Sequence, residues 1–339
     1  MSQTQVDRER ARDARRPGQL TRRAWGRVLR RMMAEGDRLN LGLIAAGVAF
    51  YTMLSIFPAI AALIAIWGIA ADPQTIVSQL GMAERLLPEA AYGILESQTE
   101  ALIRSADSTL QLASLVSIVV AIWTARNGVA ALVRGLNAVY REEHRRNALM
   151  RYAVAIGLTL LLIGVAIIAF AAVILVPIVM SLVTLPFGVE ALISGLKWVI
   201  LLGVVLFSIG LLYRHGPNRR GAKVAWLTPG AVFALLAWAA GSVAFSVYLR
   251  NFGSLNEVYG SIGAVIALLL WFYLSAYLVL LGALLNAEIE LETGRDTTIG
   301  APRPAGERRA VVADNVADGA GGLRPAQDPG PQAPEERRG

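Results

Sequence analysis

The chain has 339 residues, of which 55% are hydrophobic and 17% are charged, and its formal net charge is +7. Soluble domains carry about 25% charged residues, so this composition indicates a membrane protein rather than two soluble domains. Cys is absent and His occurs twice, as His144 and His215. These counts exclude disulfides, thiolate metal sites, a Cys nucleophile and a three-His metal site.

Residues 1–39 form a basic N-terminal tail, which we expect to lie in the cytoplasm. Its arginines fit either nucleic-acid binding or a role in topology together with attraction to anionic lipid headgroups. The second interpretation is favoured, because a cation beside an anionic membrane surface gains about 1 kcal/mol. We therefore expect membrane lipids, and no nucleic acid, as partners of this tail and of the inner loops. The arginines concerned are Arg8, Arg10, Arg12, Arg15, Arg16, Arg22, Arg23, Arg27, Arg30 and Arg31.

Six apolar stretches follow the tail, and each is long enough for a membrane-spanning helix. A bilayer core of about 30 Å requires about 20 helical residues. The stretches do not alternate as strands do, so we predict an all-α membrane protein with a six-helix transmembrane domain over residues 40–291. The spans are residues 41–70, 110–125 with helical spacing continuing to 136, 152–185, 192–213, 226–249 and 262–285.

The distribution of Lys and Arg predicts the orientation of these spans. The tail before the first span and every second segment after it hold 28 of the 32 Lys and Arg residues. Because cytoplasmic segments are enriched in these residues, both termini are predicted to be cytoplasmic. The first span is about thirty residues long, well beyond the apolar region of a cleavable signal peptide, so we expect no cleavage.

The outer loop, residues 71–109, is the one sizeable external segment of this topology. Apolar residues recur in it at roughly helical spacing on both sides of Pro88, which predicts two short amphipathic helices. Two interpretations stay open. The helices rest on the bilayer surface, which is slightly favoured, or they cap an outward-facing cavity.

The first span carries polar residues on one face, where Tyr51, Ser55 and Pro58 follow one another at spacings of four and three. Pro58 lacks an amide hydrogen and leaves the carbonyl of Leu54 without its helical partner. Either Ser55 or Tyr51 satisfies that carbonyl, or the face lines a cavity. A kink repaired by packing explains the pattern equally well.

The turn between the last two spans supplies the other half of a candidate substrate cavity. Its amides, acid and tyrosine suit contact with a headgroup or solute, and equally suit ordinary turn chemistry. The candidate cavity residues are Tyr51, Ser55, Pro58, Asn256, Glu257 and Tyr259. Small residues predict close helix packing at Gly42, Ala46, Gly47, Gly230, Gly260 and Gly263. Glu288 and Glu290 fall past the sixth span, so no chain of buried carboxylates for proton transfer is predicted.

The C-terminal segment, residues 292–339, is predicted to be a disordered cytoplasmic tail. Residues 300–339 contain six Pro, seven Gly and no aromatic residue. Such a composition does not bury enough apolar surface to offset chain entropy.

Four stretches, in this order and spacing, carry a family resemblance. The first two are residues 45–58 (AAGVAFYTMLSIFP) and 128–140 (GVAALVRGLNAVY). The third is residues 212–214, Pro217 and residues 229–231, and the fourth is Tyr248 with residues 251–253, 259–264, 271–274, 282–283 and 286–288. Together they resemble the YihY/virulence factor BrkB family of six-helix bacterial inner-membrane proteins, over about residues 30–292. Many members have Gly-Ala-Glu near the end of the sixth helix. Here that position is Leu284, which argues against an essential carboxylate there.

The resemblance implies location in the bacterial inner (plasma) membrane and brings two functional labels. One is ribonuclease BN, and the other concerns serum resistance and the cell envelope. A nuclease needs a metal clamp or a general acid–base pair, for which Glu142, Glu143 and His144 are the candidates, with His215 in another loop. Adjacent residues on a helix point in different directions, and matching ligands are missing elsewhere. We therefore predict no enzyme activity, no catalytic residues, no metal and no cofactor.

Two functional hypotheses follow. The first is a transporter or flippase-like protein for a lipid or another amphiphilic envelope component, with the cavity described above. The second is a membrane scaffold that acts through a protein partner or as a homo-oligomer and does not transport. Small residues inside a helix bundle serve packing as readily as transport, and no energy source for transport is evident.

Overall fold

The computed structural model describes residues 9–70, 109–142, 147–181, 187–251, 261–318 and 322–327. Within these ranges the chain is mainly helical. The long helices are α1 (Arg22–Arg38), α2 (Leu41–Ala70), α3 (Thr109–Val139), α4 (Ala148–Ser181), α5 (Phe187–His215), α6 (Val224–Asn251) and α7 (Ser261–Glu290). A 3₁₀ turn at Pro17–Gln19 precedes α1, and the short elements α8 (Val311–Asp314), β1 (Asn315–Ala317) and β2 (Leu323–Pro325) follow α7.

The all-α membrane fold predicted from the sequence is confirmed. Long apolar runs form helices because each backbone amide then bonds within its own segment, which hydrocarbon surroundings require. Five helices in the described part of the chain are long and apolar enough to cross a membrane. There are six if α1 and the first part of α2, Leu41–Ile56, make one span bent by 63°. The orientation of the termini stays a prediction.

Helix α1 lies within the segment that the sequence presents only as a basic tail. It begins with a capping bond, since the Thr21 hydroxyl accepts from the amide of Ala24 at 3.2 Å. Its buried residues, Ala24, Val28, Met32 and Gly36, recur every fourth position and form one narrow stripe. Asn40, with φ of 52°, separates α1 from α2, and Asn tolerates this left-handed conformation better than most residues.

The chain divides into two compact units. Unit 1 comprises Met1–Ala45, Leu132–Val243 and Leu274–Gly339, and unit 2 comprises Ala46–Ala131 and Ala244–Tyr273. In unit 1, Gly135 of α3 faces Leu280 of α7 and Ile44 of α2. A side-chain carbon added at Gly135 would lie 2.8 Å and 2.9 Å from atoms of these two residues. The helices therefore pack closely around this glycine.

In unit 2, helices α2 and α3 approach each other at Gly128. A carbon added there would lie 3.3 Å from the Thr52 hydroxyl oxygen, which is tight contact. Phe245 of α6 packs on Trp271 of α7 with ring centroids 5.6 Å apart. Small residues and aromatic contacts thus hold the described part of this unit together.

The segment after α7 differs from the predicted disordered tail over residues 292–318 and 322–327. Strands β1 and β2 pair antiparallel, with Val316 opposite Arg324. The Thr293 hydroxyl donates to the carbonyls of Arg12 and Ala14, and the amide of Lys223 donates to the carbonyl of Thr297. Hydrogen bonds to distant backbone groups thus order a segment whose composition offers little apolar area. Residues 328–339 lie outside the described residues.

Candidate functional site: a buried charge cluster and an apolar groove

Three buried glutamates lie at the end of α7 and directly after it, namely Glu288, Glu290 and Glu292. Arg31 of α1 donates to Glu288 at 2.6 Å and to Glu292 at 2.8 Å. Arg27, one turn earlier, binds Glu292 at 2.7 Å. These ion pairs attach α1 to the end of α7. The α7 charge cluster is defined here as Arg27, Arg31, Glu35, Arg141, Arg219, Glu288, Glu290 and Glu292.

The most deeply buried pair of this cluster joins Arg219 and Glu290. The side chains are 2% and 0% exposed, and the guanidinium binds both carboxylate oxygens, at 2.7 Å and 3.3 Å. The Thr297 hydroxyl donates to the same carboxylate at 2.7 Å. Arg219 also lies over the ring of Tyr140, 4.8 Å from its centroid, in a cation–π contact.

Burial and neighbouring charges shift the pKa values of Arg219 and Tyr140. Burial by itself lowers the pKa of Arg219, but the charge and hydrogen bonds of Glu290 outweigh it, and the net shift is upward. Burial, together with the charge of Glu290, raises the pKa of Tyr140. Arg219 therefore stays charged and Tyr140 stays neutral at physiological pH.

Arg141 reaches the cluster because α3 ends in an unusual way. Arg141 has φ of 56°, a left-handed conformation usually occupied by Gly at this position. The amides of Arg141 and Glu142 donate back to the carbonyls of Ala138 and Asn137, which closes a Schellman motif. The Arg141 guanidinium then lies 3.2 Å from Glu35 and 3.7 Å from Glu288.

The α7 charge cluster is electrically balanced, with four arginines facing four glutamates. A buried charge that has a good partner is tolerated, whereas an unpaired one costs several kcal/mol. Each carboxylate of the cluster pairs with at least one guanidinium. The cluster is therefore suited to holding helices and loops together rather than to acid–base chemistry.

Two glycines allow α6 and α7 to touch through their backbones. A side-chain carbon added at Gly230 would overlap the carbonyl oxygen of Gly282. Asn286 fastens the same contact, because its amide accepts from Gly230 N at 2.7 Å and donates to the carbonyl of Leu227 at 2.9 Å. The Tyr213 hydroxyl donates to the carbonyl of Val279 at 2.6 Å. The close backbone approach and these hydrogen bonds together stabilise the crossing of α6 and α7.

An apolar groove of about 300 Å³ lies between α5 and α6. From here on it is called the α5/α6 groove. Its α5 wall has glycines at 203 and 210, two helical turns apart, so both face the same side. Carbons added at these glycines meet no described atom within 4 Å, which shows open space beside them. The lining residues are Gly203, Leu206, Phe207, Gly210, Leu211, Arg214, Val224, Leu227, Thr228 and Ala231.

Arg214 is the one charged residue in this lining. It stands one turn beyond Gly210, in the last turn of α5, and is half-buried. The groove therefore combines a long apolar surface with a single cation at one end. That combination matches an amphiphile with an acyl chain and an anionic headgroup.

The candidate cavity residues of the first span lie in α2. Tyr51 is half-buried and contacts Phe50 edge to face, with ring centroids 5.6 Å apart. The Ser55 hydroxyl donates to the carbonyl of Thr52 at 2.7 Å. Of the alternatives that the sequence leaves open, the bond from Ser55 thus goes to Thr52 rather than to Leu54, while the role of Tyr51, a cavity-lining face and a kink repaired by packing stay predictions. Pro58 lies inside the continuous helix.

The other half of the candidate cavity, Asn256, Glu257 and Tyr259, lies outside the described residues, as does Gly260. The remaining packing candidates behave differently from one another. Gly230 lies in a backbone contact and Gly263 is buried, Gly42 is half-buried, and Ala46 is exposed. Gly47 meets no described atom within 4 Å, so its lack of a side chain is not required by a described neighbour.

The nuclease candidates show no assembled site in the described residues. Glu142 is buried and accepts the amide of Val311 at 2.7 Å, so it fastens the C-terminal segment. A ring nitrogen of His215 lies 3.1 Å from the carbonyl of Leu211. Among the described residues no three His, Cys, Asp or Glu side chains are placed to hold a metal. Glu143 and His144 lie outside those residues.

Neither the α7 charge cluster nor the groove was predicted from the sequence. Glu288, Glu290 and Glu292 form a run of acids at the end of an apolar span that lacks its own cations. Such a run signals that arginines from elsewhere must pair with it. For the groove, the signal is Gly203 and Gly210 followed by Arg214 on one face of α5. Arg27 and Arg31 bind carboxylates here, although the sequence analysis assigns them to lipid headgroups.

Comparison with known proteins places these features in context. The profile of the virulence factor BrkB family matches residues 33–307. The putative ribonuclease-like protein YfkH of Bacillus subtilis is 30% identical over 251 residues, which cover 72% of this chain and 88% of that protein. The UPF0761 membrane protein PSHAa0171 of Pseudoalteromonas translucida is 25% identical over 282 residues, covering 80% and 88%. The UPF0761 membrane protein IL2447 of Idiomarina loihiensis is 26% identical over 171 residues, covering 48% and 56%. No solved structure matches the chain.

Proposed function

The chain belongs to the virulence factor BrkB family, and from this premise we propose that it is a membrane protein that binds and moves a lipid or another amphiphilic component of the bacterial cell envelope. The observation that supports the proposal is the α5/α6 groove, with its apolar walls and its terminal Arg214. A volume of about 300 Å³ is at the lower end of ligand-binding clefts. We further propose that the ligand's acyl chain lies along the glycine face of α5.

The charge at the end of the groove supports an anionic headgroup. A guanidinium presents several donors in a plane that matches phosphate or carboxylate oxygens. The stem of Arg214 lies against the backbone at Gly221, since a carbon added there would be 3.1 Å from Arg214 Cγ. We propose that the guanidinium at the end of this stem binds the headgroup.

Location and chemistry complete the proposal. We propose that the protein lies in the inner (plasma) membrane, as the family resemblance implies. We further propose that both termini and the α7 charge cluster lie on the cytoplasmic side, because the Lys and Arg distribution favours that orientation. The ribonuclease-like name of one relative is not carried over, since the described residues hold no metal-binding group. The proposal therefore assigns no enzymatic reaction, cofactor or nucleic acid to this chain.

Filling the groove tests the proposal. We expect Gly210→Leu to lose a lipid that the wild-type protein retains at about one molecule per chain, because the leucine occupies the space of the acyl chain. Native mass spectrometry of the protein in nanodiscs made from its own host membrane measures the retained lipid and identifies its class. Arg214→Gln is expected to weaken retention of anionic lipids and to spare neutral ones.

The matched control is Gly157→Leu in α4, where an added carbon also meets no described atom within 4 Å. It makes the same change of volume on another exposed helix face. Equal lipid retention by wild type, Gly210→Leu and Gly157→Leu would contradict the proposal. A wild-type protein that retains only a protein partner, or a second copy of itself, would favour the scaffold hypothesis instead.

A further inference from the structure

A second cleft in unit 1, named here the basic pocket, lies outside the α5/α6 groove. Its volume is about 510 Å³, and it is formed by the loop after α7, the start of α6 and the residues before α1. Five cationic residues line it against one acid, Asp296. The cations are Arg15, Lys223, Arg295, Arg303 and Arg308.

The pocket is built on an ordered floor. Arg308 is 1% exposed and donates to the carbonyls of Arg303, Gly294 and Ala313, at 3.1, 3.0 and 2.6 Å. Trp226, 2% exposed, supplies an apolar surface beside it. Such a buried guanidinium is fixed in position, so its charge acts on the pocket without further ordering cost.

The single acid of the lining is already engaged. Burial raises the pKa of Asp296, but hydrogen bonds from the Thr298 hydroxyl and amide and the Arg303 amide outweigh it, and the net pKa lies below its ordinary value. Its stabilising contacts are fully present above about pH 4 and are lost as the pH falls through the lowered pKa. Asp296 is therefore ionised at neutral pH, and the lining carries a net charge of +4.

The side chains of Lys223, Arg295 and Arg303 differ in the polar contacts that they make within the protein. The ammonium of Lys223 donates to the backbone carbonyl of Asp296 at 2.9 Å, and Arg295 lies 3.5 Å from the exposed carboxylate of Asp13. Arg303 is exposed, and its backbone amide, rather than its guanidinium, binds Asp296. Lys223 and Arg303 thus keep their charge for a further anion.

We propose that the basic pocket binds a phosphate-bearing anion, either a soluble phosphate ester or the phosphate headgroup of a lipid. Guanidinium groups bind phosphate through paired, charge-assisted hydrogen bonds. The volume of about 510 Å³ exceeds that of inorganic phosphate and leaves room for a polar substituent next to Trp226. The site is separate from the α5/α6 groove, since no residue lines both the basic pocket and the groove.

The test uses the full chain in phosphatidylcholine nanodiscs, with glycerol 3-phosphate and inorganic phosphate as soluble probes and phosphatidylglycerol as the lipid probe. We expect the wild type to bind one of these saturably in calorimetry, or to retain phosphatidylglycerol in native mass spectrometry. The double variant Lys223→Gln/Arg303→Gln is expected to weaken that binding at least about tenfold, because two charge-assisted contacts are lost.

The matched control is Arg309→Gln/Arg324→Gln, which removes the same net charge from exposed residues outside the pocket. It is expected to change affinity less than twofold. Binding of glycerol 3-phosphate identifies a soluble ester as the source, and retention of phosphatidylglycerol alone identifies a lipid. Gly210→Leu is expected to leave binding at the basic pocket unchanged, which separates this site from the groove.

Two results would overturn the proposal. One is that neither the soluble phosphates nor phosphatidylglycerol bind to the folded wild-type protein. The other is that both double variants lose affinity equally, which would show attraction by net charge rather than by the pocket. The unfolding temperature of each variant without ligand verifies that the fold is intact.

Discussion

Gly230→Ala is expected to lower the free energy of unfolding by about 3 kcal/mol or more, because the new methyl group would overlap the carbonyl oxygen of Gly282. It would also lie 2.6 Å from the amide group of Asn286, whose bond to Gly230 N would be broken. Helices α6 and α7 would have to separate along their closest contact. Unfolding by sodium dodecyl sulfate in mixed micelles, followed by circular dichroism, measures the change.

Gly157→Ala is the control for this prediction, since it makes the same substitution in an exposed part of α4. Ala is favoured over Gly in a helix by about 1 kcal/mol, so this variant should be as stable as wild type or slightly more stable. Equal free energies of unfolding for Gly230→Ala and Gly157→Ala would contradict the close backbone contact between α6 and α7.

Breaking the buried pair of Arg219 and Glu290 is expected to cost about 3–5 kcal/mol. In Glu290→Gln the guanidinium of Arg219 keeps its charge at 2% exposure without a carboxylate, and Thr297 loses an ionised acceptor. The same micelle unfolding measurement applies. Arg219→Met/Glu290→Leu should recover most of the loss, because apolar residues of similar volume replace the pair without leaving a charge unpaired.

The exposed side chain of Arg38, which pairs with Glu35 at the edge of the cluster, supplies the comparison. The nitrogen–oxygen distance of this pair is 3.2 Å and the Arg38 side chain is 72% exposed. Arg38→Ala should cost no more than about 1 kcal/mol, as surface ion pairs do. If Arg38→Ala lowered the free energy of unfolding as much as Glu290→Gln does, burial would not explain why the ion pairs of the α7 charge cluster stabilise the fold.

The helices could be predicted from the sequence because apolar runs of this length have only one backbone solution in a bilayer. The predicted first span, 41–70, has the bounds of α2, and the other spans differ from their helices by a few residues at each end. Helix α1 could not be found in this way. Arginines are so frequent in residues 22–38 that its stripe of four small or apolar residues does not stand out.

The α7 charge cluster depends on partners far apart in the chain, which explains why a local pattern does not reveal it. Arg31 and Glu288 are 257 residues apart, and Arg219 and Glu290 are 71 residues apart. The order of the C-terminal segment has the same origin, since Thr293 binds the carbonyl of Arg12, 281 residues away. A composition rich in Pro and Gly predicts disorder because it says nothing about hydrogen-bond partners elsewhere in the chain.

The candidate cavity combines polar residues within the first span with residues of the turn between the last two spans, whereas the groove is built by glycines. Polar side chains in an apolar span attract attention because they are costly there. A groove, however, is a gap between surfaces, and the gap between α5 and α6 depends on what Gly203 and Gly210 lack. Only the packing of two helices reveals such a gap.

The most direct test of the proposed function is lipid movement across the membranes of proteoliposomes. Fluorescent phospholipids are placed in both leaflets, and dithionite then bleaches those that reach the outer leaflet. We expect the wild-type protein to raise the rate of exchange at least tenfold over protein-free vesicles and Gly210→Leu to abolish the increase, while Gly157→Leu keeps it. Folded wild-type protein that leaves the exchange of every tested lipid and glycolipid at the protein-free rate would contradict lipid movement and favour the scaffold.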